Sequence, residues 1–177
     1  MNLSASATLL SGSFEFARLQ KGKQRIRSQS LNERVTKLKR LKQVILDSAD
    51  ELREAVRQDY GKHSAEVDLS ELCTTMMELN IAIANLKKWA RPKKVGAPWA
   101  LLGTKSEIRL QPKGIVRIIG PWNYPFSLVM IPLISAVAAG NCALVKPSEL
   151  TNATSRLIKK IIAEAFDGDE VTAVEGG

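Results

Sequence analysis

Between Gly114 and Val174 short apolar runs alternate with helical segments, and this alternation leaves the chain very few architectures. Ile115-Val116-Arg117-Ile118-Ile119 is a brief β-branched run, so it reads as a buried parallel strand. An apolar helix reaching Ala139, a Gly140-Asn141 stop and a second buried strand through Cys142-Ala143-Leu144-Val145 follow. An amphipathic helix from about Asn152 to Phe166 comes next, closed by Asp167-Gly168-Asp169, and Val171 to Val174 reads as a third strand. Strand, helix, strand, helix, strand is the order of an α/β fold with a doubly wound, Rossmann-type parallel sheet.

The part before Gly114 has a different period. Leu31, Val35, Leu38, Leu41, Ile45, Ala49, Leu52 and Val56 recur at three-four spacing opposite a charged face, which predicts a helix over residues 31–58. Leu69, Leu72, Met76, Leu79, Ile83, Leu86 and Ala90 repeat the pattern over 64–90, and the segment Asp59 to Ser64, with Gly61, supplies the turn of a long antiparallel helical hairpin. Met76 and Met77 are expected to fill core gaps. Pro92 ends the second helix, Gly96, Pro98 and Gly103 punctuate a loop, and alternation over Ser106 to Gln111 predicts a half-exposed strand. Residues 1–13 are small and Ser-rich without a basic start or a sustained apolar stretch, so a frayed terminus is expected rather than a signal peptide.

Charge and cysteine content narrow the partners. The net charge of +8 permits an acidic partner, and ten basic residues lie between Arg18 and Lys42 with Glu33 the only acid among them. Few aromatic residues interleave with this run and no zinc-finger or RNA-binding motif accompanies it, which favours a solvated helix face over a nucleic-acid arm. Two widely spaced cysteines, Cys73 and Cys142, do not make a disulfide framework and point to a reducing, cytoplasmic setting. His63 is the only histidine, which leaves no basis for a catalytic triad or a metal site. The run Pro125 to Ala139 is too short to span a bilayer.

In an open parallel sheet ligands bind beyond the carboxyl ends of the strands, and two polar clusters fall there. They are Gly120-Pro121-Trp122-Asn123-Tyr124-Pro125 after the first strand and Lys146-Pro147-Ser148-Glu149 after the second. Each alone could be a stiff loop or a helix cap. Cys142, inside an apolar strand, reads as a small buried hydrophobe, not a nucleophile.

The two clusters, joined by a helix ending Ala138-Ala139-Gly140-Asn141, resemble the aldehyde dehydrogenase superfamily. Asp59-Tyr60-Gly61-Lys62, Glu71, Trp89 and Gln111-Pro112-Lys113-Gly114 are similar to its class 3 branch, and the likeness covers essentially residues 14–177. The resemblance implies that Asn123 donates from its side-chain amide to the aldehyde oxygen as it becomes an oxyanion. It implies that Trp122 lies near the cofactor phosphates and that Lys146 and Glu149 hold the adenine-side ribose of NAD or NADP, with NAD favoured because a carboxylate repels a 2′-phosphate.

By the same likeness, residues 14–90 form the helical part of a cofactor-binding domain and 91–113 a loop and strand of an oligomerisation region that builds a homodimer. Residues 114–177 would be the first βαβαβ portion of the NAD(P)-binding domain. The family chemistry runs through a cysteine thiohemiacetal and thioester, with a glutamate as general base. The motifs that carry that cysteine and glutamate do not occur before Gly177, so an N-terminal segment with an incomplete site and no activity of its own is expected. The alternatives are a non-catalytic helical interaction module built on residues 31–90 and a basic nucleic-acid-binding fragment.

Overall fold

The computed structural model describes residues 3–96, 99–101 and 103–176, with side chains from Ser13 onward except Leu101; Pro98 and Gly177 lie outside the described residues. Its core is a three-stranded parallel sheet in the order β3 (Ile115–Ile119), β4 (Cys142–Lys146), β5 (Val171–Ala173). Ile115 pairs with Cys142 and Ala143 with Val171, so the register puts Val116, Ala143 and Val171 on one face. Helices α6 (Ser127–Ala138) and α7 (Asn152–Ala165) make the two crossovers. The sequence pattern located these five elements because buried strands and amphipathic helices differ in both length and period.

The two faces of the sheet are sorted by the pleat. Ile118, Ala143, Val145 and Val171 face a large core shared with Phe126, Leu133, Ile158 and Ile162 from α6, α7 and the loop before α6. Ile115, Cys142 and Leu144 point the other way, onto Leu19 and Ile26 of α1, which spans Leu3–Arg27. The helix begins at Leu3, inside the stretch that the sequence reads as a frayed terminus. Small uncharged residues in its first half carry no apolar stripe, so periodicity could not reveal it. Burying Leu19 and Ile26, at 0% and 1% exposure, is worth roughly 1.5–3 kcal/mol each, which suffices to dock the helix.

The helical hairpin is present, with two interruptions. Its first arm is α2 (Leu31–Asp47) followed by α3 (Ala49–Tyr60), and its second is α4 (Ser64–Val67) running through a π-helical turn, Asp68–Cys73, into α5 (Thr74–Trp89). A capping box starts α2: Ser30 Oγ accepts from the Glu33 amide at 3.3 Å, and Glu33 accepts from the Ser30 amide at 2.7 Å. Gly61, at φ 69°, ends α3 in the left-handed region.

The π turn changes which face of the second arm is buried. Val67, Glu71, Thr75 and Leu79 are all fully buried, while Leu69, expected in the stripe, is 71% exposed. Met76 packs against the core as expected, but Met77 is exposed and shares an outer face with Ile81 and Trp89. The inner face of the hairpin joins the same core as the sheet, through Leu38, Leu41, Leu52, Val56, Leu79 and Leu86. After α5 a short antiparallel pair, β1 (Lys93–Val95) against β2 (Ser106–Ile108), lies on the surface, so the strand expected over Ser106 to Gln111 ends at Ile108.

Much of the basic run is tied down within the chain. Arg25 pairs with Asp169, Arg27 donates to Gln111, Arg40 to the Glu164 carbonyl, Lys42 to Asn80, and Lys37 to buried Glu170. These contacts join α1 and α2 to the turn before β5 and to α5 and α7. The run, read from the sequence as a solvated helix face, thus also ties elements of the fold together.

Candidate active site

Both polar clusters sit at the carboxyl end of the sheet, as the strand order requires. The loop 120–126 leaves β3, the loop 147–151 leaves β4, and the Gly120 amide donates to the Lys146 carbonyl at 2.9 Å, locking one exit against the other. The Cβ of any residue replacing Gly120 would lie 2.3 Å from a methyl of buried Val129, so a side chain here would force Val129 to shift.

Lys146 and Glu149 are brought together, with Lys146 Nζ donating to Glu149 Oε2 at 2.7 Å. The hydrogen bond from Lys146 holds the Glu149 carboxyl below its ordinary range, so it is ionised at neutral pH. Next to this pair a cleft of about 220 Å³ opens, lined by Ser148, Glu149, Asn152, Ser155 and Arg156 and closed by Glu175. Hydroxyl, amide, carboxylate and cationic groups in one cleft are the donor and acceptor set that a polyhydroxylated, partly anionic ligand requires.

Trp122 and Asn123 lie exposed on the neighbouring loop. Among the described residues the Asn123 carboxamide makes no hydrogen bond, so its donors are uncommitted. The loop beneath it is held by groups to which the sequence assigned no role. The Tyr60 hydroxyl donates to the Trp122 carbonyl, Lys62 Nζ donates to the Asn123 carbonyl at 3.4 Å, and the fully buried Glu71 accepts from the Ser127 amide at 2.8 Å. The available signal was an acid on the buried stripe of a helix, four residues after Val67 and four before Thr75.

The helix after the second loop is capped from a distance. Asp59 accepts from the Ala153 and Thr154 amides at 3.0 and 2.8 Å, and from the Thr154 hydroxyl. Ser148 makes no cap to α7: its Oγ accepts from the Leu150 amide, and its carbonyl accepts from the Ser155 hydroxyl. A carboxylate at a helix N-terminus is favoured by the helix dipole, so α3 and α7 are locked together just below the cleft.

Neither cysteine has the setting of a nucleophile. Cys142 opens β4, at the end of the strand opposite Lys146, and burial pushes its thiol up to about 11, so it stays protonated until strongly alkaline pH. Cys73 is exposed at the end of the π turn. Iodoacetamide at neutral pH is therefore expected to add one group to the folded chain, on Cys73, and two after denaturation, as read by peptide mass spectrometry. Among the described residues no group of three or more His, Cys, Asp or Glu could hold a metal, and no helix is long and apolar enough to cross a membrane.

Comparison with known proteins agrees with this geometry. The profile described as the aldehyde dehydrogenase family matches residues 15–176. The chain is 44% identical over 144 residues to the 4,4'-diaponeurosporen-aldehyde dehydrogenase of Staphylococcus aureus, covering 81% of this chain and 31% of that protein. It is 36% identical over 151 residues to aldehyde dehydrogenase family 3 member B1 of Mus musculus, covering 85% of this chain and 32% of the mouse protein. Staphylococcus aureus AldH, solved in a substrate-bound state, superposes with a TM-score of 0.90 at 39% identity, over 93% of this chain and 36% of that one. The chain thus spans about a third of the length of these curated relatives. With its sheet, its paired loops and nearly all of its length matched, the chain belongs to the aldehyde dehydrogenase family.

Proposed function

We propose that this chain supplies the adenosine-side cofactor contacts and the oxyanion donor of an NAD(P)-dependent aldehyde dehydrogenase that oxidises an aldehyde to a carboxylic acid. The observation that carries this reading is the juxtaposition of the uncommitted Asn123 carboxamide with the Lys146–Glu149 pair on one edge of the sheet. Asn123 suits an oxyanion because an amide donates without titrating, and a fixed donor is worth most where charge develops. Lys146 would donate to a ribose hydroxyl and Glu149 would accept from one, with Trp122 near the phosphates. When bound, the nicotinamide supplies the hydride acceptor.

Glu149, being ionised, favours NAD over NADP by repelling a 2′-phosphate. The β1–β2 pair leaves Val95 and Ile108 exposed, which supports the assignment of 91–113 to a homodimer contact. Residues 14–90 and 114–177 then act as one cofactor-binding unit, in keeping with their shared core, and two unpaired thiols suit a cytoplasmic setting. Since neither Cys73 nor Cys142 is placed to attack an aldehyde, the 177-residue chain alone is expected to oxidise none.

Ligand-observed NMR tests the cofactor half of this reading without turnover. ADP-ribose is expected to show saturation transfer from the chain, with an affinity on the order of millimolar because the described cleft is small and open to solvent. Lys146→Ala with Glu149→Ala should abolish the transfer, and transfer that persists undiminished in the double variant would refute the assignment.

A further inference from the structure

We propose that Lys62 and Tyr60, anchored by buried Glu71, are positioning residues that fix the backbone at Asn123 and so aim its carboxamide. This rests on the reading of Asn123 as the oxyanion donor. The key is which carbonyls are held. The Trp122 carbonyl belongs to the peptide plane before the Asn123 Cα, and the Asn123 carbonyl to the plane after it. Tyr60 donates to the first and Lys62 to the second. Because each peptide is planar, holding both planes sets φ and ψ at residue 123. The side chain then leaves a fixed Cα in a fixed direction, while its own amide makes no hydrogen bond among the described residues.

Lys62 is itself held from several sides. Its Nζ lies 4.5 Å from the Tyr124 ring centroid and 5.4 Å from that of Tyr60, within cation–π range of both. Only 15% of the side chain is exposed, and Glu71 Oε1 stands 4.0 Å away. Glu71 is fully buried, and among the described residues its Oε1 has no hydrogen-bond partner, which leaves that oxygen facing the Lys62 ammonium. The other oxygen, Oε2, takes the Ser127 amide at the start of α6. One carboxylate therefore fastens the end of the loop and draws in the cation that fastens its middle. A donor aimed in advance needs no reorganisation when charge appears on the substrate, which is the condition under which oxyanion donors contribute most.

Trp122 offers a probe of the loop itself. In a chain carrying Trp89→Phe and Trp99→Phe, Trp122 is the only tryptophan, and its fluorescence anisotropy decay reports loop motion. The parent is expected to decay mainly with overall tumbling. Lys62→Met should add a nanosecond component at Trp122 and speed exchange of the Ser127 and Leu128 amides by about tenfold, the factor matching the lower end of a charged hydrogen bond's contribution. Lys62→Arg should restore both. Tyr60→Phe, which removes one hydroxyl and no bulk, should give the same anisotropy component if Lys62→Met fails to fold. A lowered melting midpoint with unchanged Trp122 dynamics in Lys62→Met and Tyr60→Phe would overturn the proposal, as would failure of Lys62→Arg to restore them. The nucleotide-binding test above can fail without altering any of these readouts, so the two readings are separable.

Discussion

Phe126→Ala is expected to cost about 3–5 kcal/mol of stability, the range for removing a buried phenylalanine ring. Among the described residues Phe126 is the largest fully buried side chain, and it belongs to the core that unites the hairpin with the sheet. It stands immediately before α6, and its carbonyl accepts from the Met130 amide at 2.9 Å. The ring is therefore both core and hinge pin for the loop that carries Asn123. Urea unfolding should show the midpoint falling with little change in slope. A loss under about 1 kcal/mol would mean that the core collapses into the vacancy, and that the loop is not anchored by this ring.

Gly22→Ala should be the second large effect, and its sign separates two opposing forces. Inside an exposed helix, alanine is favoured over glycine by about 1 kcal/mol. Here a Cβ at residue 22 would stand 2.1 Å from the Asp169 carbonyl oxygen and 2.9 Å from its carbon, both backbone atoms that cannot swing aside. Helix α1 must lift from the sheet, loosening Leu19 and Ile26 and the Arg25–Asp169 ion pair at 2.7 Å. A net loss of about 2 kcal/mol or more is expected, in line with forced overpacking. Trypsin should then cut first at Lys21 and Lys23, because backbone in a lifted helix frays. Unchanged or increased stability would show that α1 is only loosely seated.

The same helix marks the limit of what the sequence reveals. Ile115 to Ile119 and Cys142 to Val145 were legible as strands because short, largely apolar runs bounded by Gly114, Gly120 and Gly140-Asn141 are too short for buried helices. Helix α1 was not, since what fixes it is a close approach of Gly22 to a backbone carbonyl far away in the chain. The second hairpin arm was legible as a helix, but its buried face was not. A π turn adds a residue to one turn, and the three-four pattern then points Leu69 outward and Glu71 inward.

At the site, Trp122, Asn123, Lys146 and Glu149 were found as members of two loops in fixed order, and the pairing of Lys146 with Glu149 follows from their spacing of three. The supports were hidden for a physical reason. Tyr60 and Lys62 grip carbonyl oxygens, and a carbonyl is present at every residue, so no letter in the sequence marks the one being gripped. Asp59 is similar, since it accepts from amides that any residue at 153 and 154 would offer.

The π turn at Asp68–Cys73 also makes segment length an inherited quantity. Delete one residue there and an ordinary α-helical turn can replace the wide one, so the flanking helices keep their relative phase while the residues inside the turn change places around it. Glu71, which lies inside the turn, would then leave its position beneath Ser127. Substitutions in this stretch can be weighed one side chain at a time. A change in spacing cannot, because the count of residues between Gly61 and Thr75 is itself part of how Asn123 is held.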